Sequence, residues 1–371
     1  MSSLDGVEIA IVAPCPRADL AHEGWMSRIR AIDRQFNGRK RVYLNFSEHH
    51  PSAPSGLTWH AAERAEILLR PGSPACEQLV ARVVQTVRVV YVHTLHLAEF
   101  MLPHLPSGKL CVDIHGITPE EEVMMGRPEL RPKYEAVERQ VLAEAKHCIC
   151  VSNAMIAHYA EKYPTLNPNW ITIPIIEAYP EEPGAGRRTP PDGEPPAAIY
   201  SGGTQAWQNI DAMLSLAKNR GREVSFRFLS HDFELIRRRA AEMEAEAEFA
   251  YCSKVDLPAA YRSADFGLVL RDDTAVNRVS CPTKLVEYLQ FGVVPIVRSP
   301  ALGDFAELGF AYVTEEEFAS GFFPDAASRE WMIERNLEVI WALADRFRKG
   351  IAALHASIWN MSEVDGSLTP A

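Results

Sequence analysis

Short runs of apolar residues alternate along this chain with segments whose apolar positions recur at helical spacing. The runs lie at residues 7–12, 41–46, 67–69, 89–92, 110–114, 148–151, 170–173, 197–200, 225–229, 249–251, 266–270 and 293–297. Most are continuous rather than alternating, which is typical of strands covered on both faces in a parallel sheet. Helical segments between them, such as 207–220 and 232–246, supply the crossovers. The pattern therefore predicts an α/β protein with doubly wound, Rossmann-like sheets.

One segment interrupts this alternation. Residues 177–196 contain six prolines and three glycines with almost no apolar side chains, which is typical of a linker. We therefore predict two domains of similar size, 1–176 and 197–371, that face a cleft. Ligands of open α/β folds usually bind at the carboxyl ends of the strands, which we expect to line that cleft. The last helical pattern, about 327–357, either packs on the second domain or crosses back to the first.

Composition narrows the classes of function. The net charge of −11 over 371 residues argues against a nucleic-acid partner. No run of about 18 apolar residues occurs, so no transmembrane helix is expected. The N-terminus lacks the basic segment of an export signal, and the seven cysteines are scattered, so we expect a cytoplasmic protein. Cys148 and Cys150 alternate along one predicted strand, where we favour buried strand residues over a redox or metal pair.

Two loops at the carboxyl ends of predicted strands in the second domain carry candidate anion-binding residues. Gly202 and Gly203 follow the first strand of this domain, where small residues let backbone N–H groups approach an anion, although a plain tight turn explains them as well. Arg271 ends a buried strand, ahead of Asp272 and Asn277. Its guanidinium either binds phosphate oxygens or belongs to a solvated loop.

The segment "CPTKLVEYLQFG" predicts a short helix with charge at its start. Pro282 suits the first helical turn, with Ser280 or Cys281 as the N-cap. Thr283 and Lys284 then lie at the positive end of the helix dipole, where dipole, hydroxyl and ammonium could together hold an anion.

Glu287 lies one turn after Lys284 on the same face of this helix. A carboxylate one turn deeper than a phosphate site is well placed to accept hydrogen bonds from a ribose diol. The alternative is an exposed salt bridge between the two side chains.

In the first domain, the candidate residues lie in two loops. Asp113 and His115 alternate at the end of a strand, so both can face one side, and His115 either binds substrate or is a structural histidine. Glu23 and Gly24 precede an amphipathic helix in a loop that could admit a second substrate. Glu120 opens a run of three glutamates that either line the acceptor side or satisfy a helix dipole.

Five segments resemble family 4 retaining glycosyltransferases of the GT-B fold: "DIHGITPEE", "CVSNAMIAHYAEKY", "YSGGTQAWQN", "ADFGLVLRDD" and "CPTKLVEYLQFGVVPIV". The resemblance covers residues from about 7 to about 313. It implies transfer of a sugar from a UDP- or GDP-type sugar nucleotide to a glycan or lipid-linked acceptor in bacterial polysaccharide or glycoconjugate synthesis. No cofactor or metal is implied. The near-neutral first half and the segment "LAEFMLPHLP" suggest peripheral contact with the inner face of a membrane, although core packing explains that segment equally well.

The resemblance also implies roles for individual residues. Glu287 matches the second glutamate of the family's E-x7-E motif, which holds the nucleotide ribose. Arg271 and Lys284 would contact the diphosphate, and His115 would touch the transferred sugar, so these three are the expected catalytic residues. The other expected donor-binding residues are Gly202, Gly203, Gln205, Asn277, Ser280 and Thr283.

Two departures from the family pattern stand out. Val279 occupies the position of the first motif glutamate, and Gln205 and Gln208 stand where the loop after the glycines usually has Arg and Lys. Either Arg271 and Lys284 take over charge neutralisation, which we favour, or diphosphate binding is weakened.

Two other functions stay open. A sugar-nucleotide epimerase of the same architecture would need an acid/base pair, for which only His115 and a neighbouring glutamate are at hand. A non-catalytic nucleotide-sugar-binding partner subunit would explain the departures from the motif. No carboxylate pair at glycosidase spacing is evident. No His/Asp cluster suggests a metal, although the "RDD" sequence keeps a divalent ion open. The base is expected near the loops after Leu229 and Tyr251.

Overall fold

A computed structural model describes residues 4–16, 24–104, 108–176 and 195–359. The chain forms two compact units. Among the described residues, the first unit comprises those up to Pro174 together with those from Asp345 to Trp359, and the second comprises those from Ile175 to Ala344. Most of the predicted linker, 177–194, lies outside the described residues, so the predicted domain boundaries stay a prediction. No helix among the described residues is long and apolar enough to cross a membrane.

The first unit is built on an eight-stranded sheet in the order β3-β4-β2-β1-β5-β6-β7-β8. Its strands are β1 Ile9–Val12, β2 Arg41–Phe46, β3 Thr58–Ala61, β4 Arg64–Leu69, β5 Val89–His93, β6 Leu110–Ile114, β7 His147–Cys150 and β8 Trp170–Thr172. All neighbours pair in parallel except β3, which runs antiparallel to β4. The sequence pattern missed β3 because all four of its residues are exposed and leave no apolar run.

In the described part of this unit, six helices connect the strands. They are α1 Gly24–Arg34, α2 Pro74–Thr86, α3 Leu95–Met101, α4 Thr118–Met124, α5 Arg131–Glu144 and α6 Asn153–Lys162. In the segment proposed for membrane contact, residues 97–106, Ala98 and Met101 are buried within the unit, which agrees with core packing of these two side chains. Cys148 and Cys150 are buried in β7, where burial raises the pKa of the Cys148 thiol to about 12.

The second unit has a six-stranded, fully parallel sheet in the order β11-β10-β9-β12-β13-β14. Its strands are β9 Ala197–Ser201, β10 Ser225–Leu229, β11 Glu248–Ala250, β12 Phe266–Val269, β13 Val294–Val297 and β14 Val313–Thr314. The sequence pattern missed β14, which is only two residues long. This order places the ends of β9 and β12 side by side at the middle of the sheet, where the candidate residues follow both strands.

Within residues 195–359 the structure describes eight further helices. They are α7 Ile210–Arg220, α8 Phe233–Met243, α9 Leu257–Arg262, α10 Ala275–Val279, α11 Thr283–Gln290, α12 Phe305–Leu308, α13 Glu315–Ser320 and α14 Ala326–Trp359. Helix α14 begins in the second unit, and its last part belongs to the first. There Ile351, Leu354 and Ile358 pack into the first unit's core.

Gly267 in β12 sets how closely α11 packs on the sheet. An ideal Cβ at this position would lie 2.3 Å from Cδ2 of Tyr288, whose hydroxyl donates a hydrogen bond to the backbone oxygen of Ile199 at 3.2 Å. We expect Gly267→Ala to push the ring away and destabilise the protein by roughly 1–3 kcal/mol, as overpacked cores do. Thermal unfolding measures this. Gly56→Ala is the matched control because nothing lies within 4 Å of its ideal Cβ, and equal effects of the two changes would refute the packing argument.

Candidate functional site

Helix α11 begins one residue later than the sequence suggested. Its N-cap is Pro282, with extended backbone angles and no side-chain cap, rather than Ser280 or Cys281. The prediction was wrong because the backbone is still extended at Pro282, so helical geometry starts at Thr283. The hydroxyl of Ser280 donates instead to the backbone oxygen of Asn277 at 2.9 Å. Thr283 and Lys284 nevertheless occupy the first turn, as predicted.

Lys284 points inward and is only 7% exposed. Its Nζ donates to the Tyr200 hydroxyl at 3.0 Å and to Oε1 of Gln208 at 2.7 Å, and it lies 4.1 Å from the centroid of the Tyr200 ring. The structure describes no ion pair between Lys284 and Glu287, so the exposed salt bridge considered from the sequence is wrong. Gln208, which looked like a missing basic residue, is a direct partner of this lysine.

The glycine turn after β9 closes directly over this lysine. Gly202 has a φ of +146°, and an ideal Cβ there would lie 2.7 Å from Nζ of Lys284. The neighbouring backbone oxygen of Gly203 accepts a hydrogen bond from Tyr200 at 2.5 Å. The side chain of Gln205 covers Gly203, since its Oε1 would lie 2.6 Å from a Cβ there. The backbone conformation at position 202 suits glycine, and the anion-binding role of this turn stays a prediction.

Arg271 follows β12 and is also buried. Its Nη1 makes long contacts of 3.4 Å with Oδ1 of Asn277 and with the Ser280 hydroxyl. The predicted residues Arg271, Asn277 and Ser280 therefore meet in one place. The neighbouring Asp272 and Asp273 pair with different arginines, Arg298 at 2.8 Å and Arg278 at 2.5 Å respectively.

Glu287 lies one turn along α11 and accepts a hydrogen bond of 2.6 Å from Tyr261. The Tyr261 hydroxyl also contacts Oγ of Ser201 at 2.6 Å. Sequence reasoning missed Tyr261, Tyr200 and Ser201 because they lie 26 to 87 residues from their α11 partners and meet them only in the folded chain, Tyr261 from α9 and the other two from β9. The half-buried carboxylate is thereby oriented by a hydroxyl donor.

The electrostatics of Lys284 are unusual for a lysine. Burial and then the charge of Arg271 hold the pKa of its ammonium well below the ordinary value, and Glu287 only partly opposes them. Burial also raises the pKa of Tyr200, so its phenol stays neutral beside the lysine.

A second cluster lies at the carboxyl edge of the first unit's sheet. Asp113 in β6 is fully buried and receives two hydrogen bonds from Arg28 of α1, at 2.9 and 3.0 Å, and one from Tyr91 at 2.9 Å. Burial alone would raise the pKa of Asp113. The charge of Arg28 and the neighbouring histidines outweighs burial and holds that pKa well below its ordinary value.

Two histidines complete this cluster. Nε2 of His115 lies 3.4 Å from Oδ2 of Asp113, which agrees with the predicted shared face, and 3.2 Å from Nδ1 of His93. Burial lowers the pKa of His93 to about 3, so this ring is neutral. Sequence reasoning missed His93. Its position at the end of β5 could have revealed it, because parallel pairing places His93 opposite Asp113 in β6.

This cluster could hold a metal ion on geometry alone, which corrects the expectation that no His/Asp cluster occurs. The ligand atoms of His93, Asp113 and His115 lie 3.2 to 3.4 Å apart. Tetrahedral zinc with bonds near 2.0–2.1 Å would separate its ligand atoms by about 3.3–3.4 Å. However, Arg28 already balances the carboxylate charge and would lie beside the cation, so the donor set does not favour a divalent ion.

The predicted acceptor-side residues are less clearly placed. Glu120 in the first turn of α4 pairs with Lys162 at 2.9 Å, which ties α4 to α6. Gly24 is the first residue of α1, and Glu23 lies outside the described residues. An ideal Cβ on Gly116 would lie 1.9 Å from Oε1 of Glu121, so this glycine lets a glutamate fold back over the loop after His115. Their acceptor role stays a prediction.

Comparisons with known proteins identify the fold. No family model matches the chain, and no curated protein sequence matches it. Solved structures do match. One, described as trehalose-6-phosphate from E. coli bound with UDP-2-fluoro glucose, is 10% identical with a TM-score of 0.67, covering 95% of this chain and 99% of that chain.

Two further matches are UDP-forming α,α-trehalose-phosphate synthases. The enzyme from Burkholderia vietnamiensis is 13% identical with a TM-score of 0.63 over 94% of this chain and 100% of that chain. The enzyme from Burkholderia xenovorans in complex with glucose-6-phosphate is 13% identical with a TM-score of 0.63 over 93% of this chain and 100% of that chain. These likenesses show that the chain has the GT-B fold, as its sequence predicted.

Proposed function

We propose that this protein is a retaining glycosyltransferase that moves a sugar from a nucleoside diphosphate sugar to an acceptor. The proposal rests on the burial of two basic side chains, Lys284 and Arg271, close enough for the charge of Arg271 to lower the pKa of Lys284. Burial penalises positive charge on both side chains, and a bound anion offsets that penalty. The Gly202 turn lets such an anion approach the backbone at the same place.

The remaining donor contacts follow from α11. A diphosphate beside Lys284 leaves the ribose near Glu287, one turn further along the helix, where a carboxylate accepts hydrogen bonds from the 2′- and 3′-hydroxyls. Donor cleavage places negative charge on the leaving phosphate, and the two cations stabilise that charge. This chemistry requires neither a cofactor nor a metal.

In the first unit, we infer that His115 contacts the transferred sugar. Asp113 holds the His115 ring at 3.4 Å and is itself fixed by Arg28, so the histidine is oriented by a buried ionic support. Glu120, Glu23 and Gly24 are proposed to line the acceptor side.

A UDP-sugar is the first donor to test, because one of the matching structures holds UDP-2-fluoro glucose; GDP-sugars come second. For the acceptor, a sugar phosphate joins the glycan and lipid-linked candidates, because another matching structure holds glucose-6-phosphate. Assignment to family 4, a role in polysaccharide synthesis and contact with a membrane surface rest on the sequence resemblance and composition alone.

Incubating the protein with UDP- and GDP-sugars without acceptor tests the proposal. Slow release of free sugar, formed first with the anomeric configuration of the donor, is the expected result. Appearance of an isomeric sugar nucleotide would instead identify an epimerase. Tight binding without any product would identify a non-catalytic binding protein.

Replacing Glu287 tests the ribose contact. We expect Glu287→Ala to weaken binding of the preferred nucleoside diphosphate by roughly 1.5–3 kcal/mol, the usual range for hydrogen bonds to a charged group. Calorimetric titration measures this, with the thermal unfolding midpoint as a check on the fold. Glu234→Ala, in α8, is the control because its exposed carboxylate pairs with Arg237 at the surface. An unchanged dissociation constant for Glu287→Ala would remove the ribose assignment.

A further inference from the structure

The hydrogen bonds around Lys284 fit an uncharged amine. Among the described residues, its Nζ donates to two acceptors, the Tyr200 hydroxyl and Oε1 of Gln208, and no carboxylate lies within 4.0 Å of it. A neutral amine has two N–H groups, and these two acceptors use both. An ammonium has three, and the third finds no hydrogen-bond acceptor in this part of the chain. In a buried site that missing partner penalises the charged form.

Among the groups that face Lys284 from neighbouring elements, the charge of Arg271 favours the neutral amine, whereas Glu287 and the face of the Tyr200 ring favour the ammonium. From β9, Tyr200 contributes a phenol that already donates to the backbone oxygen of Gly203, and burial keeps that phenol from ionising. From the end of β12, Arg271 adds a like charge. From α11 itself, Glu287 is the one carboxylate acting on Lys284, and its effect ranks behind those of burial and Arg271. The proton is therefore held weakly until an anion arrives.

We propose that the donor diphosphate binds at this site together with one proton, which forms the third N–H bond on Nζ of Lys284. Solvent supplies the proton, no bond of the donor breaks, and the new N–H donates to a phosphate oxygen. The inference rests on the proposed function and adds a property of its donor site: the lysine becomes a cation only when the phosphate is in place.

This coupling has a measurable consequence for binding. In the pH range where Lys284 is an amine in the free protein and an ammonium in the complex, one proton is taken up with each ligand. Affinity for the diphosphate therefore falls about tenfold for each unit by which the pH rises. A lysine that stays charged in the free protein would give no such slope between pH 7 and 9, since its ordinary pKa is about 10.4.

Calorimetric titration with UDP at pH 8, in buffers of different ionisation enthalpy, counts the protons. Phosphate groups with a second pKa of about 6 are almost fully ionised at this pH, so the ligand itself contributes little to the proton uptake. We expect uptake of about one proton by the parent protein and by Lys218→Met, whose lysine lies on the surface paired with Glu244. Lys284→Met should bind more weakly and take up about none. Binding by the parent without proton uptake would overturn the proposal.

A second measurement needs no ligand and therefore separates this inference from the donor assignment. If the folded free protein holds neutral Lys284, the unfolded chain binds one more proton, so acid favours unfolding. The unfolding constant of the parent, relative to that of Lys284→Met, should then fall about tenfold for each pH unit from 7 to 9. Parallel pH profiles would overturn the inference. If no nucleoside diphosphate binds, the proposed function fails, and this comparison still decides the charge of the free lysine.

Discussion

Arg271→Met and Lys284→Met should each lower turnover by about a hundred- to a thousand-fold, while affinity for intact donor falls much less. Negative charge on the leaving diphosphate grows as the bond to the sugar lengthens, so a cation beside it stabilises the transition state more than the bound donor. Losing one preorganised contact in a buried site should raise the barrier by roughly 2.7–4 kcal/mol, by analogy with a lost oxyanion donor.

Methionine keeps the apolar stem of both side chains and removes only the charge. The measurement is turnover and donor affinity for the two single variants and the double variant. Arg278→Met and Lys218→Met are the matched controls, since both side chains pair with carboxylates at the surface. Near-normal turnover in both single variants would show that neither cation serves the leaving phosphate.

Asp113→Ala should destabilise the protein by roughly 3–5 kcal/mol, because it removes the carboxylate that accepts two hydrogen bonds from the buried guanidinium of Arg28. The same carboxylate supports His115, so activity should fall with stability. Urea unfolding at neutral pH measures the first effect. The pKa of Asp113 is lower in the folded protein than in the unfolded chain. The stabilisation that its ionised carboxylate contributes is therefore complete above the unfolded-state pKa of about 3.9, and it is lost as the pH falls through the folded-state pKa.

A double variant tests whether the loss of stability in Asp113→Ala comes from the charge left on Arg28. Arg28→Met with Asp113→Leu removes both charges and leaves apolar side chains in their place, which is often neutral in a buried pair. It should therefore be more stable than Asp113→Ala alone. A single variant within about 1 kcal/mol of the parent would show that Arg28 finds compensation elsewhere.

The backbone architecture could be predicted because apolar runs report directly on burial. Strands β2, β6 and β10 begin and end where the sequence pattern placed them, since every one of them lies inside a sheet covered by helices. Strand β3 shows the limit of that signal. Its side chains face solvent, and it pairs with β4 through backbone hydrogen bonds, which the pattern of apolar residues does not predict.

The candidate site was predictable residue by residue but not contact by contact. The sequence around Lys284 predicted a helix that begins with a charged residue. The hydrogen-bond acceptors of Lys284, Tyr200 and Gln208, lie 84 and 76 residues away in the sequence. His93 was missed for the same reason, because only the register of β5 against β6 brings it to Asp113. Departures from a family motif are therefore weak evidence for loss of a binding site. Gln208 stands where a basic residue was expected, and in the structure its side chain accepts a hydrogen bond from the buried Lys284.

If Lys284 and Arg271 of the second unit together hold a nucleoside diphosphate, removing both should abolish most of the binding. Equilibrium titration of the parent protein and of the Arg271→Met/Lys284→Met double variant with UDP, GDP and ADP tests it most directly. We expect at least one of these ligands to bind the parent, and the double variant to lose most of this affinity while its thermal unfolding midpoint is unchanged or higher. Absence of binding to the parent, or equal binding by parent and double variant, would contradict it.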